Sequence, residues 1–308
     1  AHVANYAYHL DAGKFSHFLQ KHCTEKLGVK HFLDHVVAVN SHENGDIASV
    51  TTKKNGDVSG DLFIDCTGFH ALLIGKHYQV PFVSKKHILF NDTALACHVP
   101  YADEQSPIAS HTISTGQSSG WIWDIGLPSR RGVGHVFSSK HISVENAEVE
   151  LRDYLRLSRA DIADSLAIRK IDINPGHRQV FWQNNCVAVG LAAGFLEPLE
   201  ASALVLVELS AAMISEQLPV SRNVMDIVAK RFNDKFLYRW DRIIDFLKLH
   251  YGMGFETHKR PTMRRSENGP LADMQFRKNS ELTQKLLARL PTNRDLINKI
   301  RQYGLQKI

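Results

Sequence analysis

Residues 187–209 constrain the possible fold of this chain more than any other stretch. They read VAVGLAAGFLEPLEASALVLVEL: an apolar strand, a glycine-permitted turn from Gly190 to Gly194, and then a predicted helix. Pro198 suits the first helical turn, where a backbone N–H would otherwise be unpaired. The free N–H groups and the helix dipole at such a point attract anions, such as phosphate, halide or the electron-rich edge of a cofactor.

Two carboxylates, Glu197 and Glu200, flank the predicted start of this helix. Spaced three residues apart, they would lie on neighbouring helical faces, and they could not both be buried without partners. We interpret Glu197 as the helix cap. We interpret Glu200 as the working acid, because the small residues Ala201, Ser202 and Ala203 follow it and leave room for a ligand.

Composition excludes several classes of function. The 308 residues carry a net charge of +5, and the basic residues are scattered rather than arranged in a nucleic-acid-binding stripe. The start of the chain lacks the apolar core of a signal peptide, and the apolar run 201–214 is too short to span a bilayer. We therefore expect a cytoplasmic protein that has neither a nucleic-acid nor a membrane partner. The four cysteines form no CxxC pair, which predicts buried thiols in a reducing compartment.

Metal and hydrolase motifs are also missing from the sequence. His31, Asp34 and His35 lack the HExxH order and fall where the pattern turns to strand, so we predict no metal site. No GxSxG, P-loop or GxGxxG is present.

The rest of the chain alternates between helical and strand patterns. A helix is predicted between Asp11, as its N-cap, and Gly28, as its C-cap, with an apolar face that includes Phe15 and Phe18. Two hairpins and a buried strand follow, and that strand ends in Asp65-Cys66-Thr67-Gly68, where a ligand could approach the backbone. Further predicted elements are β-strands within 88–140, a helix from Ser143, a helix over 223–250, a loop after 251, and weak helices over 282–290 and 295–303.

Five stretches, in order, resemble the flavin-dependent halogenases of the tryptophan-halogenase type. They are residues 6–19, 61–75, 120–127, 187–211 and 239–251. The resemblance implies an α/β protein with a partial FAD-binding fold (glutathione-reductase-like, flavin monooxygenase-type), a β-sheet substrate module and a C-terminal helical part. The implied boundaries are 1–90 and 181–217 for the FAD module with its flavin and halide site, 91–180 for the β-sheet module, and 218–308 for the helical part, which matches poorly after 251.

The resemblance also implies roles for single residues. Glu200 matches the active-site glutamate, and Ser202 and Ala203 match the pair, usually Thr-Gly, that holds the halide. Ala203 lacks the freedom of glycine at positive φ. The residues expected to line the FAD site are Asp65, Thr67, Gly68, Gly190, Ala193 and Gly194.

Trp121, Trp123 and Ile125 match the signature that separates these halogenases from monooxygenases. Alternation places the two indoles on one face of a strand. The family has proline after that isoleucine, whereas this chain has Gly126, a departure that bears on local rigidity.

The activity implied by the resemblance uses FADH2 from a separate flavin reductase, O2, and chloride or bromide. Halide is oxidised to hypohalous acid, which halogenates tryptophan or another indole as the small aromatic substrate. Nothing from Ala1 onward matches the family's GxGxxG segment or its catalytic lysine, so we expect an N-terminally truncated chain that is inactive by itself. We also consider a homodimer. An FAD-dependent monooxygenase and a non-catalytic remnant stay open as alternatives.

Overall fold

The computed structural model describes residues 8–252, which form four α-helices and four β-sheets. The helices are α1 (Ala12–Lys26), α2 (Val144–Arg159), α3 (Ser202–Glu216) and α4 (Arg222–Gly252). The strands are β1 (Val36–Ser41), β2 (Ile47–Thr52), β3 (Gly56–Ser59), β4 (Phe63–Asp65), β5 (Phe82–Ser84), β6 (Thr93–Pro100), β7 (Ile113–Gln117), β8 (Gly120–Leu127), β9 (Arg130–Phe137), β10 (Arg169–Asp172), β11 (Gly176–Arg178), β12 (Trp182–Gln183), β13 (Cys186–Ala188) and β14 (Gly194–Phe195). Of the described helices, none is both long and apolar enough to cross a membrane. The predicted segments 282–290 and 295–303, and most of the predicted loop after 251, lie outside the described residues.

The largest sheet has five antiparallel strands in the order β10-β6-β9-β8-β7. Four of its strands, β6 to β9, lie within 88–140, where the sequence predicted a run of short strands, and α2 covers one face of the sheet. Helix α2 begins where it was predicted, and Ser143 caps it by accepting a hydrogen bond from the N–H of Asn146 at 3.2 Å. Buried apolar residues of α2, such as Leu151 and Leu155, pack against Ile122 and Phe137 of the sheet.

A parallel pair of strands brings distant parts of the sequence together. β4 runs beside β13, with Ile64 opposite Val187, and β12 completes this three-stranded sheet. Helices α3 and α4 contribute to the same core, where Phe232, Phe236 and Leu247 are among the buried side chains. The segment after residue 181 therefore returns to the part of the fold that contains residues 63–65.

Helix α1 is confirmed, but its predicted apolar face is not buried by the described residues. Asp11 caps the helix by accepting hydrogen bonds from Gly13 and Lys14, and Gly28 beyond its end has a positive φ of 69°. Phe18 is 59% exposed, and α1 has no buried residue. The periodicity located the helix correctly but could not show what packs against it.

The predicted start of α3 was wrong. The helix begins at Ser202, and residues 199–201 form a single 3-10 turn after Pro198. Glu200 and Ala201 have left-handed backbone angles, with φ of 59° and 51°, and these cannot extend a right-handed helix. The prediction of four buried thiols also needs correction, because Cys66 is exposed and Cys23 is half-buried, although all four cysteines are free.

A buried histidine should make stability depend on pH. The Nδ1 atom of His177 lies 2.8 Å from the carbonyl O of Arg178, and its Nε2 atom is buried without a hydrogen-bond partner among the described residues. The ring lies against Phe181 and Trp240, and burial lowers the pKa of His177 from its usual value of 6.5. A depressed folded-state pKa contributes stability that is present above the unfolded pKa and is lost as the pH falls.

We therefore expect the free energy of unfolding to fall as the pH decreases from ~7 to ~5. Urea unfolding of the protein and of His177→Gln at several pH values measures this effect. In His177→Gln the free energy of unfolding should depend less steeply on pH. His42→Gln, which replaces an exposed side chain, should keep the pH dependence of the unsubstituted protein. Equal slopes in all three proteins would contradict the role assigned to His177.

Candidate functional site

Two glycine turns meet at the carboxyl ends of the parallel strands β4 and β13. The turn Gly68–His70 lies against the turn Gly190–Ala192. Gly68 and Gly190 have φ of 68° and 65°, in the left-handed region that favours glycine over other residues. Among the described residues, and apart from the chain neighbours, a Cβ built on Gly68 would meet no atom within 4 Å, and one on Gly190 would meet only Val207 Cγ2 at 3.6 Å. The two turns therefore present an accessible backbone surface at this edge of the sheet. Ligands of open α/β sheets bind at the same edge.

Asp65 supports the first turn from inside. It is fully buried, and its carboxylate accepts hydrogen bonds from Thr67, Leu73 and Ile74. The Thr67 hydroxyl, which lies 2.6 Å from Asp65 Oδ1, also accepts from the N–H of Leu72 at 2.7 Å. Asp65 and Thr67 therefore shape the turn with their side chains, and Gly68 is the residue of this group that faces open space.

A small apolar cavity joins four of the residues predicted from the sequence. It has a volume of about 150 Å³ and adjoins the second glycine turn and α3. Its lining includes Gly190, Ala193, Gly194 and Ala203, together with Trp240 of α4.

Gly194 also has a packing role in β14. A Cβ there would lie 2.5 Å from the carbonyl O of Gly176 and 2.6 Å from Trp240. The absence of a side chain at 194 is therefore required for contact between β14, β11 and α4, whatever ligand the cavity takes.

Ser202 and Ala203 are the first two residues of α3. The hydroxyl of Ser202 is buried and donates to the carbonyl O of Leu199 at 3.4 Å. Both residues are helical, so the concern that position 203 requires a positive φ does not apply. The first N–H groups of a helix have no partner within it, and no side chain of residues 8–252 caps α3. This helix start can therefore donate to an anion.

Glu200 lies on the surface of the described residues. Its side chain is 55% exposed, and its Oε1 atom lies 3.7 Å from Nε2 of His250. Glu200 has a left-handed backbone conformation before α3, and its side chain makes no cap hydrogen bond to that helix. Glu200 lies two residues before Ser202, the first residue of α3.

The signature residues Trp121, Trp123 and Ile125 lie on one face of β8, as predicted. The two indole rings are 6.2 Å apart between centroids and meet at 64°. Gly126 continues the strand and pairs with Arg131, so the departure from proline does not interrupt β8. A Cβ at 126 would lie 2.9 Å from Ile108, which explains why a residue without a side chain fits there.

The interpretation of Glu197 as a helix cap was wrong. Glu197 is 1% exposed, and its Oε2 atom accepts hydrogen bonds from Asn91, Trp121 and Tyr251. Burial raises the pKa of Glu197, and these hydrogen bonds oppose the shift. Lys248 is also buried. Burial lowers the pKa of Lys248 to about 8, and the charge of Glu197 opposes this shift.

Sequence reasoning missed Asn91, Tyr251 and Lys248 as parts of this polar cluster. Glu197 carried a usable signal, because it directly follows the apolar pair Phe195-Leu196, of which Leu196 is fully buried. Asn91 also follows an apolar run, residues 88–90, but no local pattern could pair it with Glu197, because their contact joins residues 106 positions apart. The structure describes no group of His, Cys, Asp or Glu within 8–252 that could hold a metal ion.

Comparisons with known proteins agree with the resemblance. A model of the tryptophan halogenase family matches residues 1–274. SttH, a tryptophan 6-halogenase of Streptomyces toxytricini, is 37% identical over 246 residues, which are 80% of this chain and 46% of that protein. A solved tryptophan halogenase from Shewanella frigidimarina NCIMB 400 has a TM-score of 0.76 and 44% identity, over 96% of this chain and 67% of that one. BrvH, a flavin-dependent halogenase from Brevundimonas sp. BAL3, has a TM-score of 0.76 and 32% identity, over 85% of this chain and 53% of that one.

The family match covers most of the chain, and the fold resembles solved flavin-dependent halogenases. This chain spans about half the length of the curated relatives that it matches, with 46% of SttH covered. The motifs on β8 and before α3, the glycine turns and the overall superposition all lead to the same assignment. This chain belongs to the tryptophan halogenase family.

Proposed function

We propose that this chain forms part of an FADH2-dependent halogenase that uses O2 and chloride or bromide to halogenate an electron-rich aromatic, such as tryptophan or another indole. The observation that carries the proposal is that two glycine turns meet each other, and that the second of them shares a cavity with Ala203 at the start of α3, which directly follows Glu200 and Ala201. The names of the similar proteins, tryptophan 6-halogenase among them, support the reaction class and the substrate class.

The residues at the glycine turns fit a flavin. Gly68 and Gly190 leave the backbone uncovered at the carboxyl ends of two parallel strands, where a flat ring system can approach. Reduced FAD would supply two electrons to O2, and the oxidant so formed would take two electrons from halide to give an electrophilic halogen. We propose that the FAD-binding part comprises 1–90 and 181–217, which the parallel pairing of β4 with β13 supports. We assign 91–180 to the substrate module and 218–308 to the helical part.

The start of α3 fits a halide ion. The backbone N–H groups of Ser202 and Ala203 are the first of the helix, where unpaired donors and the helix dipole favour an anion. The Ser202 hydroxyl, which bonds Leu199 O only weakly at 3.4 Å, can turn towards a bound halide. A halide held here would lie close to the turn at Gly190, which lines the same cavity as Ala203.

Glu200 would act on the electrophile or on the substrate. A carboxylate beside the halide can orient the electrophilic halogen, or it can take the proton that the aromatic ring loses. We further propose that a separate flavin reductase supplies FADH2. The homodimer and the cytoplasmic location both stay predictions. An FAD-dependent monooxygenase is the alternative activity, although Gly126 and Ala203, which motivated it, both fit regular secondary structure.

Product analysis tests this proposal. The complete protein, supplied with FADH2, O2, bromide and tryptophan or indole, should give a brominated product, identified by mass spectrometry. A reaction without protein, in which any free hypobromous acid would arise chemically, serves as the control. An oxygenated but never brominated product would reject the halogenase in favour of the monooxygenase. No product of either kind, with FAD bound, would favour the non-catalytic remnant.

A further inference from the structure

The carboxyl group of Glu197 joins three separate elements. Asn91 Nδ2, just before β6, lies 2.6 Å from Glu197 Oε2, and Trp121 Nε1 of β8 lies 3.4 Å from the same atom. The hydroxyl of Tyr251, near the end of α4, donates to Glu197 Oε2 as well. Asn91 and Trp121 also donate to the Tyr251 oxygen, at 2.8 and 3.0 Å. The result is a closed network of four side chains, which we call the Glu197 cluster: Asn91, Trp121, Glu197 and Tyr251.

The chain that follows Glu197 adopts an unfavourable conformation. Glu200 and Ala201 are non-glycine residues with left-handed backbone angles, and such residues persist only where surrounding contacts hold them. Within the described structure no side chain caps the start of α3. Phe195 and Leu199, on either side of Glu197, pack on the face of the large sheet that carries Trp121. The Glu197 cluster is therefore a buried polar contact, three residues before Glu200, that is able to hold this turn.

We propose that Glu197 is a positioning residue: the Glu197 cluster anchors the turn that presents Glu200 and the start of α3, and Trp121 serves this anchor through its indole N–H. The proposal rests on the function proposed above for Glu200. It gives Trp121 a role that follows from its hydrogen bonds, and it separates that role from the role of Trp123, whose ring packs against Trp121.

The shape of the carboxyl group, and not its charge, carries this function. Glu197 Oε2 accepts the three hydrogen bonds that reach the carboxyl group, from Asn91, Trp121 and Tyr251, whereas Oε1 is buried without a hydrogen-bond partner among the described residues. Burial raises the pKa of Glu197, and the hydrogen bonds from Tyr251, Asn91 and Trp121 oppose that shift. Glutamine keeps the accepting oxygen and the volume, so it should replace Glu197 here. Alanine keeps neither, and it would leave the donors of Asn91 and Trp121 without the carboxyl oxygen.

Amide hydrogen exchange tests the anchor without reference to catalysis. In the complete protein, Glu197→Ala should accelerate exchange in the peptide 199–204 by about 10-fold or more, because the turn opens more often. Glu197→Gln should exchange like the wild type, and Tyr251→Phe should be intermediate. Tyr154→Phe is the matched control, since Tyr154 also donates to a buried acid, Asp124 of β8, but on the sheet face covered by α2. Unchanged exchange in Glu197→Ala, or equal acceleration in Tyr154→Phe, would overturn the proposal.

Steady-state kinetics then link the anchor to Glu200. We expect kcat to fall about 100-fold in Glu197→Ala, because displacement of a reacting group by about 1 Å has an effect of this size. The KM for the aromatic substrate should change little, and Glu197→Gln should restore kcat. A loss in Glu197→Gln as large as in Glu197→Ala would mean that the charge or proton of Glu197 is required, and would overturn the positioning role. If the wild type shows no halogenation, the proposed function fails, while the exchange experiment still decides whether Glu197 holds the turn.

Discussion

Replacement of Glu200 by glutamine should abolish halogenation in the complete protein while leaving FAD bound. The expected fall in kcat is about 10³-fold, the usual scale for a lost general acid or base. Glutamine preserves the size of the side chain, and the exposed position of Glu200 means that the fold does not depend on its charge. The turn should therefore keep its shape, and only the chemistry that needs a carboxylate should stop. Product formation with FADH2, O2 and bromide, together with FAD titration by fluorescence, measures both effects.

Glu208→Gln is the matched control for this experiment. Glu208 is an exposed glutamate on α3, two turns from Ser202, and its loss should leave kcat unchanged. Turnover retained in Glu200→Gln would show that another group handles the proton or the electrophile. Glutamine should therefore lower kcat at position 200, whereas at position 197 it should leave kcat nearly unchanged. This contrast separates a carboxylate used for chemistry from one used for position.

Replacement of Asp65 by alanine should have the largest effect on stability. Its carboxylate is fully buried and accepts from the N–H groups of Thr67, Leu73 and Ile74 at 2.8–3.0 Å, as well as from the Thr67 hydroxyl. Alanine would leave three backbone donors unpaired, and each unpaired buried donor costs about 1–3 kcal/mol. We expect the free energy of unfolding to fall by about 3 kcal/mol or more, measured by urea denaturation.

Asp61→Ala provides the comparison, because Asp61 is exposed just before β4. Its substitution should change the free energy of unfolding by less than about 0.5 kcal/mol. Asp65→Ala should also weaken FAD binding, since the turn at Gly68 depends on the hydrogen bonds of Asp65. A stable Asp65→Ala variant with unchanged FAD affinity would show that neither the turn nor the cofactor depends on this carboxylate.

Local signals in the sequence predicted most of the elements correctly. The cap at Asp11, the helix start at Ser143, the two hairpins before Asp65 and the long helix α4 all depend on residues close together in the chain. The alternation in β8 also placed Trp121 and Trp123 on one face, because side-chain direction in a strand follows directly from residue spacing.

The errors concern residues whose environment is set by distant parts of the chain. Glu197 was interpreted as a cap because it precedes a predicted helix, but contacts with Asn91 and Tyr251 bury it instead. The start of α3 was predicted too early because sequence spacing cannot reveal left-handed angles at Glu200 and Ala201. The apolar face of α1 was recognised, yet the pattern could not indicate whether the described residues would cover it. In each case tertiary contact decided the outcome.

Anomalous diffraction from bromide in crystals of the complete protein with FAD tests the flavin and halide site most directly. We predict a bromide peak in hydrogen-bonding contact with Ser202 and the N–H of Ala203, beside an isoalloxazine ring that lies over the turns at Gly68 and Gly190. Bromide bound elsewhere, or FAD bound away from these two turns, would contradict the site proposed here.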